Sequence, residues 1–429
     1  MNPFHHEGGL LHAEAVPLTS IADAVGTPAY VYSAGALRAA ARRFRTALAA
    51  VPRKQLAFAV KANPNHAVLR LLAEEGYGAD IVSGGELAAA LDAGMAPGSI
   101  IYSGTGKTRT ELIAALDAGT GQFNLELEAE AHLLSSLAME RQIRAPAVLR
   151  VNPDIDARTH AKITTGRAAS KFGVPIHAAI DMYDRLATLG GLDLRGIAVH
   201  IGSQIVDLAP LESAYLRVGE LVQALRLRGH SITHVDLGGG LGVSYRPSQP
   251  GADVEAYGAM VARITRDWNV TLMFEPGRFI AAEAGALLTR VIWTKPGTER
   301  PFVIVDAAMN DLMRPALYDA WHEFAAVSPS GERMIADIVG PVCETGDTFA
   351  RAREIDRVEA GDLCVFHTTG AYGATMASTY NNRALPPEVM VDGDRFAVIA
   401  ERLEASAIAR RRSVSRPIFV TADAIPVDA

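Results

Sequence analysis

Residues 56–82 open with the apolar run Leu56-Ala57-Phe58-Ala59-Val60 and pass through Lys61-Ala62-Asn63-Pro64. They continue into His66–Glu75, whose apolar positions recur at helical spacing, and reach a second short apolar run at Ala79–Val82. Strand, polar turn, amphipathic helix and strand make one βα unit. Its two strands run parallel, because the helix carries the chain back to its starting end. The unit recurs. Further strand candidates are Ser99–Tyr102, Gln122–Leu125, Ala147–Val151, Gly196–Ile201, His234–Leu237 and Val270–Phe274, with helical stretches such as Gly85–Ala93, Glu111–Ala118 and Leu211–Arg228 between them. Eight such strands predict an α/β fold of the closed (β/α)8 barrel type rather than an open doubly wound sheet.

The flanks read differently. Pro28–Tyr32 is β-rich, and Ser33 is placed to cap an Ala- and Arg-rich helix ending near Ala50. Beyond about residue 285, β-branched runs alternate with turn residues: Leu287–Thr294, Phe302–Val305, Ile335–Val339, Leu363–His367 and Phe396–Ile399. These predict an antiparallel β-domain that the N-terminal arm joins. The expected division is residues 34–284 for the barrel and residues 1–33 with 285–429 for the β-domain. Arg410–Arg412 reads as a solvated, mobile terminal stretch.

Composition narrows the function. Of 429 residues, 49% are hydrophobic and 21% charged, as in ordinary globular chains. With 41 Lys+Arg against 48 Asp+Glu the net charge is −7, which argues against a generally basic nucleic-acid surface. Two cysteines, Cys343 and Cys364, make no disulfide framework. No Lys or Arg precedes Arg38, so the basic start of a secretory signal is lacking, and no apolar run reaches the roughly 18 residues of a membrane span. His5-His6 is too short for a metal site, and none is expected. A soluble, cytoplasmic protein without nucleic-acid or membrane partners is the expectation.

Enzymes on such barrels carry their functional groups at the carboxyl ends of the strands. Of six lysines, only Lys61 directly ends a core-like apolar strand. A buried ammonium must be paired, neutralised or used as an imine-forming amine; otherwise Lys61 snorkels to the rim. The sixth strand runs into His200-Ile201-Gly202-Ser203-Gln204, where His200 alone could be a core histidine satisfied by a carbonyl. The seventh runs into Gly238-Gly239-Gly240-Leu241-Gly242, a tight turn or a seat where backbone N–H groups approach an anion. It fails as a dinucleotide signature, because Val243 stands where the third glycine belongs. The eighth ends in Glu275-Pro276-Gly277-Arg278, and a buried Glu275 needs a cation, with Arg278 the nearest in sequence. Ser103-Gly104-Thr105-Gly106-Lys107-Thr108 imitates a nucleotide loop, but a P-loop needs glycine where Ile101 stands, so it reads as a polar loop. Lys61, the glycine run and Glu275 together offer an amine, a phosphate seat and a carboxyl for a ring nitrogen, the three handles of pyridoxal phosphate.

Eight ordered motifs carry a resemblance: Phe58–Asn63, Arg150–Pro153, His200–Gln204, Gly238–Gly242, Glu275–Arg278, Arg314–Tyr318, Cys343–Asp347 and Gly370–Gly373. In these the chain resembles the diaminopimelate decarboxylase family, whose fold type is shared with alanine racemase and eukaryotic ornithine decarboxylase. The resemblance covers nearly the whole chain. It implies pyridoxal 5'-phosphate as cofactor, a small amino-acid substrate, and a homodimer with active sites at the subunit interface. It makes Lys61 the Schiff-base lysine, stacks His200 on the cofactor ring, and sets Glu275 at the pyridine nitrogen. Ser203, the glycine run at Gly239 and Gly240, the backbone of Gly277 and Arg278, and Tyr372 would bind the phosphate. Arg278, Arg314, Tyr318, Glu344 and Tyr372 match substrate-binding positions, and Cys343 matches a proton donor contributed across the dimer.

On this resemblance the reaction is decarboxylation of meso-diaminopimelate to L-lysine. Charge agrees: a distal carboxylate suits the guanidinium forks of Arg278 and Arg314, and a distal ammonium suits Glu344. Three alternatives stay open: a basic amino-acid decarboxylase on the same fold, a racemase, and a non-catalytic cofactor carrier. An arginine at the ring nitrogen would suit a racemase better than Glu275 does, and a carrier has little need of Cys343-Glu344 or paired arginines. Cys343 taken alone could equally be a buried structural cysteine.

Overall fold

The structure, a computed structural model, describes residues 3–157, 165–166 and 171–413. Eight parallel strands close into a barrel: Lys54–Ala59, Gly78–Ile81, Ile100–Tyr102, Gln122–Leu125, Ala145–Asn152, Leu192–Val199, His234–Asp236 and Thr271–Phe274. Closure is direct, with Leu272 of the last strand opposite Lys54 of the first and Phe123 of the fourth opposite Ala147 of the fifth. A two-residue strand, Val174–Pro175, pairs with the fifth outside the ring. All eight expected strands are present, shifted by a few residues at their ends.

The helices follow local chemistry. Ser33 Oγ accepts the Ala36 N–H at 2.9 Å and starts Ala34–Ala47, whose Leu37, Ala41 and Phe44 lie one helical face apart and are buried. Thr108 and Glu111 form a capping box at Arg109–Ala118. Strand residues alternate between the helix layer and the barrel axis. Leu56 and Phe58 join the large outer core, whereas Ala57, Ile101 and Met273 form a small apolar plug of their own. Two residues further along the same strands come Ala59, Ser103 and Glu275, so the inward row turns from apolar to polar as it nears the carboxyl end.

The second domain is a sheet ordered Thr348–Asp356, Arg333–Val339, Phe302–Val305, Gly285–Lys295, Ala29–Ser33, Glu388–Asp392 and Arg395–Ala400. Leu363–Phe366 pairs with both Gly285–Lys295 and Phe324–Ala326. Most pairings are antiparallel as expected, but Phe302–Val305 with Arg333–Val339 and Ala29–Ser33 with Glu388–Asp392 are parallel. The N-terminal arm joins through Ala29–Ser33, all five residues buried, while Phe4–Glu7, Leu10–Ala13 and Val16–Pro17 form a separate three-stranded sheet.

Arg410–Arg412 are exposed, as expected of a solvated stretch. Arg410 and Arg411 lie in the helix Ala405–Arg411, and Arg412 donates to Thr379 Oγ1 at 2.8 Å and to Asn382. Burial of Ile408 explains the docking. Residues 158–164 and 167–170 lie outside the described residues.

Candidate active site

The carboxyl ends of the barrel strands and the second domain enclose a cavity of about 1010 Å³. Lys61, in a single turn of 3-10 helix after the first strand, reaches into it, and its Nζ lies 3.2 Å from Asp80 Oδ2. Burial opposes the charge on Lys61, but Asp80, Tyr372 and Glu275 outweigh it and hold the ammonium above its ordinary pKa. Asp80 is thus the partner that a buried lysine requires.

Glu275 lies across the cavity floor. Its Oε1 accepts from Ser103 Oγ at 3.4 Å and Asn124 Nδ2 at 3.5 Å. It is not paired with Arg278, which instead donates to Ser203 Oγ at 3.2 Å and Tyr245 OH at 2.5 Å. With no ion-pair partner among the described residues, Glu275 is pushed well above the usual carboxyl range by burial, then by Asp236 and Asp80. His200 accepts the Gly239 N–H at its Nδ1 at 3.2 Å. Burial, Lys61 and Arg150 press its pKa well down, so it is neutral with its remaining proton on Nε2.

The glycine run is a cradle that side chains would fill. A Cβ at Gly239 would meet the Glu275 carbonyl at 2.1 Å, and Gly240, at φ +109°, would meet that of Gly202 at 2.4 Å. The N–H groups of Gly240, Gly277 and Arg278 have no acceptor among the described residues, and they join the Ser203 hydroxyl as an anion seat. An aldehyde-bearing, phosphorylated pyridine ring fits this set: amine, acid and phosphate donors open on one cavity.

Above the cradle stand two guanidinium groups. Arg278 is 7% and Arg314 6% exposed, and neither meets a carboxylate within ion-pair distance among the described residues. They rest on aromatic faces, Arg278 at 4.7 Å from the Tyr372 centroid and Arg314 at 4.4 Å from that of Tyr245. Arg314 Nη1 also lies 2.9 Å from His322 Nε2, whose Nδ1 contacts the His367 carbonyl at 2.8 Å. Tyr318 lines the same cavity.

Lys61, His200, Ser203, Gly240, Glu275 and Gly277 therefore converge with Arg278, Arg314, Tyr318 and Tyr372, and Gly239 lies just behind His200. Cys343 and Glu344 do not. Both are exposed and outside the cavity, and Glu344 Oε2 accepts from Tyr380 OH at 3.0 Å. Lys107, in the dismissed nucleotide-like loop, is buried against Glu130 at 2.6 Å. Sequence reading passed over Asp80, Asn124, Asp236, Tyr245 and His322. For the first three, the available signal was a polar residue at an inward position of a short barrel strand.

The chain is similar to known proteins over nearly its whole length. The model for the pyridoxal-dependent decarboxylase, pyridoxal binding domain, matches residues 36–282. The chain is 51% identical over 413 residues to a diaminopimelate decarboxylase of Zymomonas mobilis, covering 96% of this chain and 98% of that one. Diaminopimelate decarboxylase from Helicobacter pylori complexed with L-lysine superposes with a TM-score of 0.89 at 35% identity, covering 92% of this chain and 99% of that one. The enzyme from M. jannaschii in co-complex with L-lysine gives 0.91 at 32%, covering 96% and 98%. With a match running the length of the barrel and a relative alike over nearly the whole chain, the protein belongs to the pyridoxal-dependent decarboxylases, and within them to the diaminopimelate decarboxylase family.

Proposed function

We propose that the protein decarboxylates meso-2,6-diaminopimelate to L-lysine and carbon dioxide, the last step of lysine biosynthesis. The observation that carries this reading is the pair Arg278 and Arg314, buried cations on one cavity with no carboxylate partner among the described residues. A substrate with a distal carboxylate neutralises them, whereas ornithine or lysine would bring a further cation among them. The relatives crystallised with L-lysine hold what this reaction would release.

Pyridoxal phosphate, when bound, supplies the sink for the electron pair that departing carbon dioxide leaves behind. Lys61 would hold it through Nζ, with Asp80 fixing that amine in place. Ser203 and the free N–H groups of Gly240, Gly277 and Arg278 would seat its phosphate, helped by Tyr372. Neutral His200 would lie against the ring without adding charge, and Glu275 would meet the ring nitrogen. Arg314 and Arg278 would orient the distal carboxylate, flanked by Tyr318.

Cys343 would return a proton to the reacting carbon, as a thiol placed there can serve as general acid. Glu344 would meet the distal ammonium. Both would act from the partner in a homodimer, and their exposure outside their own chain's cavity supports that arrangement. A cytoplasmic location goes with this reading, since Cys343 would have to stay reduced.

The test is turnover. Protein supplied with pyridoxal phosphate is given diaminopimelate, ornithine or lysine, and carbon dioxide is measured. Diaminopimelate is the expected substrate; preference for ornithine or lysine would overturn the assignment.

A further inference from the structure

Beneath Glu275 lies a second acid, with no cation partner among the described residues. Asp236 ends the seventh strand and is 1% exposed. Every hydrogen-bond donor that meets it is neutral. The Gly238 N–H gives to Oδ1 at 2.8 Å, while Gln122 Nε2 and Asn124 Nδ2 give to Oδ2 at 3.1 and 3.3 Å. Asn124 Nδ2 bridges the two acids, 3.3 Å from Asp236 Oδ2 and 3.5 Å from Glu275 Oε1.

Two adjacent buried carboxylates resist joint ionisation, so one of them holds a proton. Geometry says which one carries it. Three N–H groups point at Asp236 and favour its anion, whereas Glu275 Oε1 has only the two long contacts from Ser103 and Asn124. Other titratable groups face the pair: Lys61 from the first strand, Asp80 from the second, and the neutral phenols of Tyr215 and Tyr257 beside Asp236. Lys61 and Asp80 satisfy each other, so Asp236 is the uncompensated negative charge on the floor.

We propose that Asp236 is a positioning residue that holds Glu275 in its acid form, so that Glu275 meets the cofactor ring as a proton donor. The step is a simple transfer: the Glu275 O–H bond breaks, an N–H bond forms at the ring nitrogen, and Glu275 is left as a carboxylate beside that new cation. The proposal rests on the reading of the cavity as a pyridoxal phosphate site, but its first measurement needs no cofactor.

Infrared difference spectra of the cofactor-free protein at neutral pH, wild type minus Glu275→Gln, isolate the Glu275 carbonyl stretch from other buried acids. The expected result is a protonated-acid band in the wild type that loading with pyridoxal phosphate removes. In Asp236→Asn, the pH midpoint of that band is expected to fall by at least about one unit, a tenfold change in proton affinity. Absence of the band in the wild type, its persistence after loading, or its unchanged midpoint in Asp236→Asn would each overturn the proposal. The wild-type arm decides even if the variant does not fold. A band present in protein that does not turn over diaminopimelate would support the Asp236–Glu275 unit and refute the proposed reaction.

Discussion

Replacing Arg314 by lysine keeps the charge and removes the shape. Arg314 stands on the short helix Arg314–Tyr318, flat on Tyr245, with Nη1 spent on His322 at 2.9 Å. Its remaining N–H groups are what a carboxylate could grip. An ammonium in that place can serve His322 or the substrate, but cannot present a planar fork. Losing one charge-assisted hydrogen bond costs about 1.5–3 kcal/mol. At about 1.4 kcal/mol per decade, substrate binding should weaken about 10- to 150-fold. The assay is steady-state carbon dioxide release against diaminopimelate concentration, with the bound-cofactor spectrum and thermal unfolding as controls. KM is expected to carry most of the change. A KM within about twofold of wild type, in protein that folds and binds cofactor normally, would refute Arg314 as the seat of the distal carboxylate.

Three further outcomes are expected. Lys61→Ala should abolish the visible absorption band of bound cofactor, and retention of that band would show that another amine holds it. Cys343→Ala should lower kcat by about a hundredfold or more while cofactor affinity stays unchanged, as for loss of a general acid; an unaltered rate would leave Cys343 without a chemical role. Burial, with a smaller push from His6, lowers the His367 pKa from 6.5 to about 4. The unfolded chain therefore binds a proton that the folded one refuses, and stability is lost as pH falls from about 6.5 towards 4, by about 3 kcal/mol from this group. His367→Phe should flatten that part of the slope in urea unfolding followed across pH, and an unchanged slope would show that His367 does not titrate as its burial requires.

The barrel was legible because its strands are short, apolar and separated by helices with regular periodicity, and because Lys61, His200 and Glu275 each follow such a run. The second domain was less so. Thr348–Asp356 carries four charged residues, of which Arg351 and Glu354 are exposed, and Phe324–Ala326 is too short to show a period. Both are strands because neighbours distant in sequence supply the pairing. Asp80 and Asp236 were passed over for a related reason: one acid in an apolar run looks like an interruption until barrel closure shows that it faces the axis. The bland alternative, in which Arg278 pairs with Glu275, fails because adjacency in sequence does not fix direction; the turn at Gly277 sends Arg278 to Ser203 and Tyr245. No single-chain pattern could show how Cys343 and Glu344 reach a cavity, since they do not enter their own.

The strand Ala29–Ser33 lies between Gly285–Lys295 and Glu388–Asp392. On the ribosome it emerges long before either neighbour exists, and the entire barrel is translated in the interval. The barrel can therefore be complete while this all-buried segment still waits for its neighbours. This stitch joins two segments more than 350 residues apart, so a chain truncated before Glu388 would keep its barrel residues yet leave an open, apolar sheet edge for chaperones or for another nascent copy to cover.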